Sequence, residues 1–284
     1  MRGLRSTLAL LVVLIGLGAY IYFVASKADD SASTQDRMFT GLRSDDITEL
    51  TVTSEAGETT TLKKDNGTWQ MVAPVASRGS DLEASGIANA LAGLDVTRTV
   101  EETLANAGEY GLDKPRIEVA FKTADGKANG TLRIGSKTAT GGSLYARKND
   151  DEKVVLIGQY NEATFNKSPF DLRDKAIVTF DRTNIDGFDA TVTGSSFEVA
   201  KKADDWSVTR PITARADVSA SEGLVSAISS LQMTKIVSNA PSPDDLRKYG
   251  LDTPAAVVNL HLGSGRVGVG VGNDAEEGTV YVRD

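Results

Sequence analysis

An α+β fold is predicted here: two tandem copies of an antiparallel-sheet-plus-helices unit, set after an N-terminal transmembrane helix. Three observations predict it. The heptapeptide Glu109-Tyr110-Gly111-Leu112-Asp113-Lys114-Pro115 returns as Lys248-Tyr249-Gly250-Leu251-Asp252-Thr253-Pro254. Strand-like alternation and helix-like i, i+4, i+7 spacing follow one another in the same order in each half. An uncharged apolar run, Ser6 to Ser26, stands before both halves.

Taken in order, residues 1–26 read as a cytoplasmic tip and membrane anchor. As a helix, the Ser6 to Ser26 run would cover roughly 30 Å, about the thickness of a hydrocarbon core. Tyr20, Tyr22 and Phe23 stand at its far end, where aromatic rings favour the membrane interface. Arg2 and Arg5 on the short side place the N-terminus in the cytoplasm. The expected location is therefore the bacterial inner membrane, single-pass, with the bulk of the chain periplasmic or extracellular. The rival reading is a cleaved secretory signal, with Ser26-Lys27-Ala28 as a small-x-small site; such signals have an apolar region of about 7–15 residues, shorter than this one. Residues 27–44 are small and polar at first and read as a flexible tether.

The first unit is expected at 45–180 and the second at 181–284. Trp69 and Pro74 in "GTWQMVAP" recur as Trp206 and Pro211 in "DDWSVTRP". Ile87, Leu91 and Leu94 repeat as Leu224, Ile228 and Leu231, one apolar helix face in each copy. Ser80 and Asp217 precede those helices and are suited to accept hydrogen bonds from their free N–H groups. A short strand follows ("VTRTVE", "MTKIVSN"), then a short helix that stops at Tyr-Gly, then three more strands. Asp125-Gly126 and Ser264-Gly265 sit where tight hairpin turns belong.

The heptapeptide reads as backbone engineering. Gly111 and Gly250 can adopt the left-handed conformation that ends a helix, and Leu112 and Leu251 supply the apolar contact beside it. Pro115 and Pro254 forbid renewed helix. Asp113 and Asp252 carry the minority reading of ligand binding. In the second copy Ser242-Pro243-Asp244-Asp245 forms the matching helix start. Trp69 and Trp206 read as core anchors rather than stacking platforms for sugar.

Composition excludes several chemistries. There is no cysteine, so disulfides, thiolate metal sites and thiol nucleophiles are ruled out. The formal charge of -8 disfavours nucleic acid as a partner. His261 is the single histidine, lies in an alternating strand and has Lys122 as its counterpart, which points to a solvent-facing position. Gly263-Ser264-Gly265-Arg266-Val267-Gly268 matches the dinucleotide pattern, yet it leads into strand and turn instead of the helix that pattern requires. The acidic pairs Asp45-Asp46, Asp204-Asp205 and Asp244-Asp245 read as turns and caps. No catalytic residue, cofactor or metal site is expected. The second copy has no equivalent of the segment from Val154 to Phe180, so a truncated polypeptide with an exposed C-terminal edge is also expected.

Taken together, the "W-x-x-x-x-P" strand end, the capped helix, "Y-G-L-D-x-P" and the later "I-G…G…Y" strands resemble the bacterial family called domain of unknown function 4340. The resemblance implies an anchored extracytoplasmic protein, associated with ABC-type transport systems of the gliding-motility auxiliary kind. The function it implies is a non-enzymatic accessory protein whose partners are the membrane, transporter subunits or other envelope proteins. Two alternatives stand beside it. One is a ligand- or polysaccharide-binding module using exposed Tyr110 and Tyr249; the other is a carboxylate-based hydrolase.

Overall fold

Short runs rich in Thr, Val and Ile, punctuated by Gly and Asn, satisfy their backbone N–H and C=O groups by pairing with one another. In the computed structural model, which describes residues 36–284 except positions 125 and 127, that pairing produces one antiparallel sheet in each of two units. The units divide between Asp174 and Lys175, earlier than the sequence boundary at 180.

The first unit runs β1 (Ile47–Thr53), β2 (Thr59–Asp65), β3 (Thr68–Ala73), β4 (Ser77–Arg78), α1 (Asp81–Ala92) and β5 (Arg98–Glu101). It continues through β6 (Ile117–Thr123), β7 (Asn129–Lys137), β8 (Ser143–Lys148), β9 (Val154–Gly158) and α2 (Asn161–Phe165). Its strands lie in the order β4-β3-β2-β1-β6-β7-β8-β9-β5. The second unit runs β10 (Gly187–Val192), β11 (Ser195–Lys202), β12 (Asp205–Arg210), β13 (Ala214–Arg215), α3 (Val218–Ser229) and α4 (Pro243–Lys248). β14 (Ala256–Leu262), β15 (Gly265–Asp274) and β16 (Val280–Arg283) complete it, in the order β13-β12-β11-β10-β14-β15-β16. The second order is the first with the β9 and β5 positions missing among the described residues.

Two expectations are corrected. The chain is mostly β, not α+β: only α1 and α3 reach 12 residues, while the other helices are one or two turns. The "short helix" of the first copy is a single 3-10 turn, Ala107–Tyr110. Helix starts and stops were written close together there, and caps specify ends without supplying length. The second correction concerns location. Among the described residues no helix is long and apolar enough to cross a membrane, which conflicts with the single-pass inner-membrane placement. The run from Ser6 to Ser26 lies outside the described residues. Asp36 onward already belongs to the first unit: Met38 and Phe39 are buried, and Phe39 packs edge-on against Phe121 at 5.1 Å.

Each core forms where one sheet face meets its long helix. Leu50, Val52, Leu62, Val119, Leu132 and Ile134 meet Ala84, Ile87 and Leu91 of α1. Phe188, Val199, Leu260 and Val269 meet Val225 and Ile228 of α3. Trp69 and Trp206 are both 2% exposed and belong to these cores. Helix starts are capped alike: Ser80 Oγ accepts from Glu83 N–H at 3.3 Å and Asp217 Oδ1 from Ala220 N–H at 3.0 Å. Pro74 and Pro211 both follow cis peptide bonds and are exposed.

The Tyr-Gly corners are near-identical. Gly111 and Gly250 have φ of 66° and 68°. Leu112 N–H donates to Ala107 C=O at 2.9 Å and Gly111 N–H to Gly108 C=O at 3.2 Å; Leu251 and Gly250 make the matching bonds to Leu246 at 2.7 Å and Arg247 at 3.1 Å. This is the paired 6→1 and 5→2 arrangement of a left-handed helix stop. The corner then seats on the next sheet strand but one. A Cβ added at Gly135 of β7 would overlap the Tyr110 carbonyl oxygen, and one at Gly272 of β15 would overlap that of Tyr249. A backbone carbonyl cannot move aside as a side chain can, so both strands need glycine there.

Gly135→Ala is expected to destabilise the first unit by about 3 kcal/mol through overpacking against fixed backbone. Gly57→Ala, at φ 80° with open space around it, should cost only about 1 kcal/mol of left-handed strain. Denaturant melts of the two variants check this, and equal losses would remove the corner as the constraint. A second expectation concerns the tryptophans. Trp206 Nε1–H donates to Glu222 Oε1 at 3.0 Å, and Lys201 bonds the same oxygen at 2.8 Å. Trp69 Nε1 is buried without a hydrogen-bond partner although Lys64 lies over its ring, and Ser85 occupies the place on α1 that Glu222 has on α3. Ser85→Glu should therefore stabilise the first unit by about 1 kcal/mol, read as a raised Tm in a Trp206→Phe background.

Candidate functional site

The site is built from the tyrosine that precedes each corner glycine. In the first unit Tyr110 is buried, its ring 4.9 Å from that of Tyr145 on β8. Leu112 and Val154 are buried with it, and Val100, Leu104 and Ala107 pack around them. β9 pairs with β8, and β5 pairs with β9, so two further strands close this side of the corner. Tyr110 Oη–H donates to Glu101 Oε1 at 2.8 Å. That bond to the Glu101 carboxylate, together with burial, pushes the phenol up to about 12.

In the second unit the same corner is open. Tyr249 stacks on Tyr281 of β16, with ring centroids 4.4 Å apart and a 31° tilt, and Lys248 Nζ lies 5.3 Å from the Tyr249 centroid. Leu251 is buried, but both tyrosines are only half-buried. "MTKIVSN", the counterpart of β5, forms no strand, and Val237 within it is 49% exposed. Val280 on β16 is 44% exposed. Among the described residues no strand pairs with the outer side of β16.

Several sequence-derived sites fall elsewhere. Asp113 and Asp252 are exposed, while Pro115 and Pro254 are half-buried where each corner turns into a strand. Tyr110 is not exposed, so it cannot serve as a sugar platform. Gly263 and Ser264 make the turn between β14 and β15, which leaves no helix N-terminus for a dinucleotide. Asp245 forms a capping box with Ser242, and Asp244 pairs with Arg247.

His261 differs from its sequence reading. Its side chain is only 16% exposed, and its Nε2 lies 2.7 Å from Asp189 Oδ1. An ionised carboxylate only accepts, so Nε2 carries the proton. Asn259 Nδ2–H donates to Asp189 Oδ2 at 2.7 Å, and Arg266 lies 3.8 Å away. The first unit has a matching pair, Lys122 with Glu49 at 2.6 Å. Alternation gave the face of His261 but not the acid waiting on the neighbouring strand. A larger ionic network was missed altogether. Arg116 bonds both Glu55 oxygens, at 2.7 and 2.8 Å, and Glu162 at 2.5 Å, while Lys137 bonds Glu162 at 2.8 Å. The Glu55 and Arg116 partners are 61 residues apart, beyond the reach of local pattern.

These pairs set a pH response. Burial pushes the Asp189 carboxyl up, but the bonds from Asn259 and His261 and the charges of His261 and Arg266 outweigh it and leave it below its ordinary value. A lowered folded-state value stabilises above the unfolded value, about 3.9, and that contribution is lost as pH falls through the folded one. Asp189→Asn is therefore expected to cost about 1–2 kcal/mol at pH 7, with the gap from wild type closing below about pH 3. Denaturation followed by Trp206 fluorescence in a Trp69→Phe background checks it; a gap unchanged at low pH would refute the assignment.

Comparison with known proteins gives one positive result. No curated protein and no solved structure matches the chain. A family model described as Domain of unknown function (DUF4340) matches residues 69–209 and again residues 206–284. The two matches begin at Trp69 and at Trp206, the paired core tryptophans, and so recover the duplication seen in the two sheets. The chain belongs to the DUF4340 family, whose domain it carries in tandem.

Proposed function

We propose that this chain is a non-catalytic interaction protein, with subunits of an ABC-type transport system as the expected partners. One observation carries the reading: of two near-identical tyrosine corners, one is covered by the chain itself and the other presents apolar surface. The residues common to both units are spent on backbone geometry and core packing. Trp69 and Trp206 fill cores, Gly111 and Gly250 stop helices, and Gly135 and Gly272 receive the corners. A family whose shared residues are all of this kind offers a scaffold, and its specificity then resides in surfaces that differ between copies. Val237, Val280 and the Tyr249–Tyr281 pair form such a surface, and aromatic and aliphatic side chains of this type anchor protein contacts. The transport partner itself comes from the family resemblance.

A photo-crosslinking residue at Val237 of the full chain, expressed in its native cell, is expected to trap a permease or ATPase subunit. The same residue at Thr61 on β2, within the closed first unit, should trap none. Equal labelling at both positions, or turnover of a small-molecule substrate by the purified chain, would defeat the reading.

A further inference from the structure

We propose that the outer edge of β16 accepts an extended aliphatic strand from another polypeptide, added antiparallel in the register that β9 takes against β8. The proposal rests on the interaction reading and specifies its chemistry. The first unit shows what covers this place. β9 is Val-Val-Leu-Ile-Gly, with Val154 to Ile157 all buried: Val155 and Ile157 face the main core, and Val154 faces the Tyr110 cluster. Its register sets Leu144 against Ile157, Tyr145 against Leu156 and Ala146 against Val155. β16 repeats the β8 pattern, with Tyr281 stacked on its corner tyrosine as Tyr145 is stacked on Tyr110. An incoming strand in that register would set isoleucine-, leucine- and valine-like residues opposite Val280, Tyr281 and Val282 in turn. It would cover Val280 on the core side and the tyrosine pair on the other.

The remaining sheet edges argue that this one is different. β4 is Ser77–Arg78 and β13 is Ala214–Arg215, two-residue strands ending in a charge, and β5 is Arg-Thr-Val-Glu with charge at both ends. Short, charged edges resist adding a further strand. β16 is Val-Tyr-Val-Arg, with an apolar residue at three of its four positions. Addition of an extended segment to such an edge draws affinity from main-chain hydrogen bonds and selectivity from alternate side chains.

The probe is a labelled peptide with the sequence of residues 152–160, Glu-Lys-Val-Val-Leu-Ile-Gly-Gln-Tyr, added to the full chain. Saturable binding is expected, with amide exchange in residues 280–283 slowed by about tenfold, and with loss of both when Leu156 of the peptide is replaced by proline. Val280→Asp on the protein, at an already exposed position, should weaken the peptide by about tenfold or more while leaving the melting curve in place. Four results would overturn the proposal. One is no saturation by about 1 mM peptide, a free energy too small for a specific site. Another is protection elsewhere than β16. The third is protection that rises with protein concentration alone, which would make a second copy the occupant. The fourth is native protein heavier than this chain with β16 already protected, which would make the strand intramolecular. Crosslinks at Val237 together with an unprotected β16 would reject strand addition and leave the interaction reading standing.

Discussion

The seating of a tyrosine carbonyl on a strand glycine is the contact on which each unit depends. It joins a helix stop to a sheet at a separation no side chain could bridge, because only hydrogen occupies the space between them at Gly135 and at Gly272. Three consequences follow from one contact. The left-handed glycine reverses the chain, the leucine after it drops into the apolar layer, and the proline beyond it starts the strand that pairs beside β1 or β10. The tyrosine ring is thereby held at the margin of the sheet, against β8 or β16. Corner and strand glycine are thus a single device, which explains why the heptapeptide and the later glycine strand recur together.

The interior device is common to both units, whereas polar cover differs. Lysine lies over the core tryptophan in each unit, but only the second adds a carboxylate that satisfies the indole N–H. On the outer sheet face, Lys122 with Glu49 and His261 with Asp189 occupy comparable places with different spacing along the strand. Such pairs each contribute modestly, so they can change without threatening the fold. A carbonyl against a glycine leaves no such latitude, since a single methyl group collides with the backbone.

Sequence made the local devices legible and the lateral ones obscure. Ser80, Asp217, Gly111 and Gly250 announce themselves because capping is a matter of neighbouring residues. The duplication is plain for the same reason. Fold class was misjudged because cap signals count helices without measuring them, and the turn at Ala107–Tyr110 has both a start and a stop within four residues. Strand character is also not local. "VTRTVE" and "MTKIVSN" look alike, yet the first contains a strand because β9 offers it a ladder, and the second is irregular where no such ladder exists among the described residues. His261 and Arg116 illustrate the same limit: their partners stand on other strands, 72 and 61 residues away.

That non-local dependence bears on the two tyrosine corners. A corner needs its glycine contact to exist, but not the strands that cover it, since the second unit keeps its φ values, its paired hydrogen bonds and its stacked tyrosines without them. The cover is therefore separable from the scaffold. In the first unit it does more than exclude water, because Glu101 on the covering strand accepts the Tyr110 hydroxyl and holds its proton in place. The second unit has Ser238 at the matching position and exposes both of its tyrosines in part. A folding scaffold that tolerates an uncovered corner can present that corner to a partner, and a duplicated domain can close one copy while leaving the other free to bind.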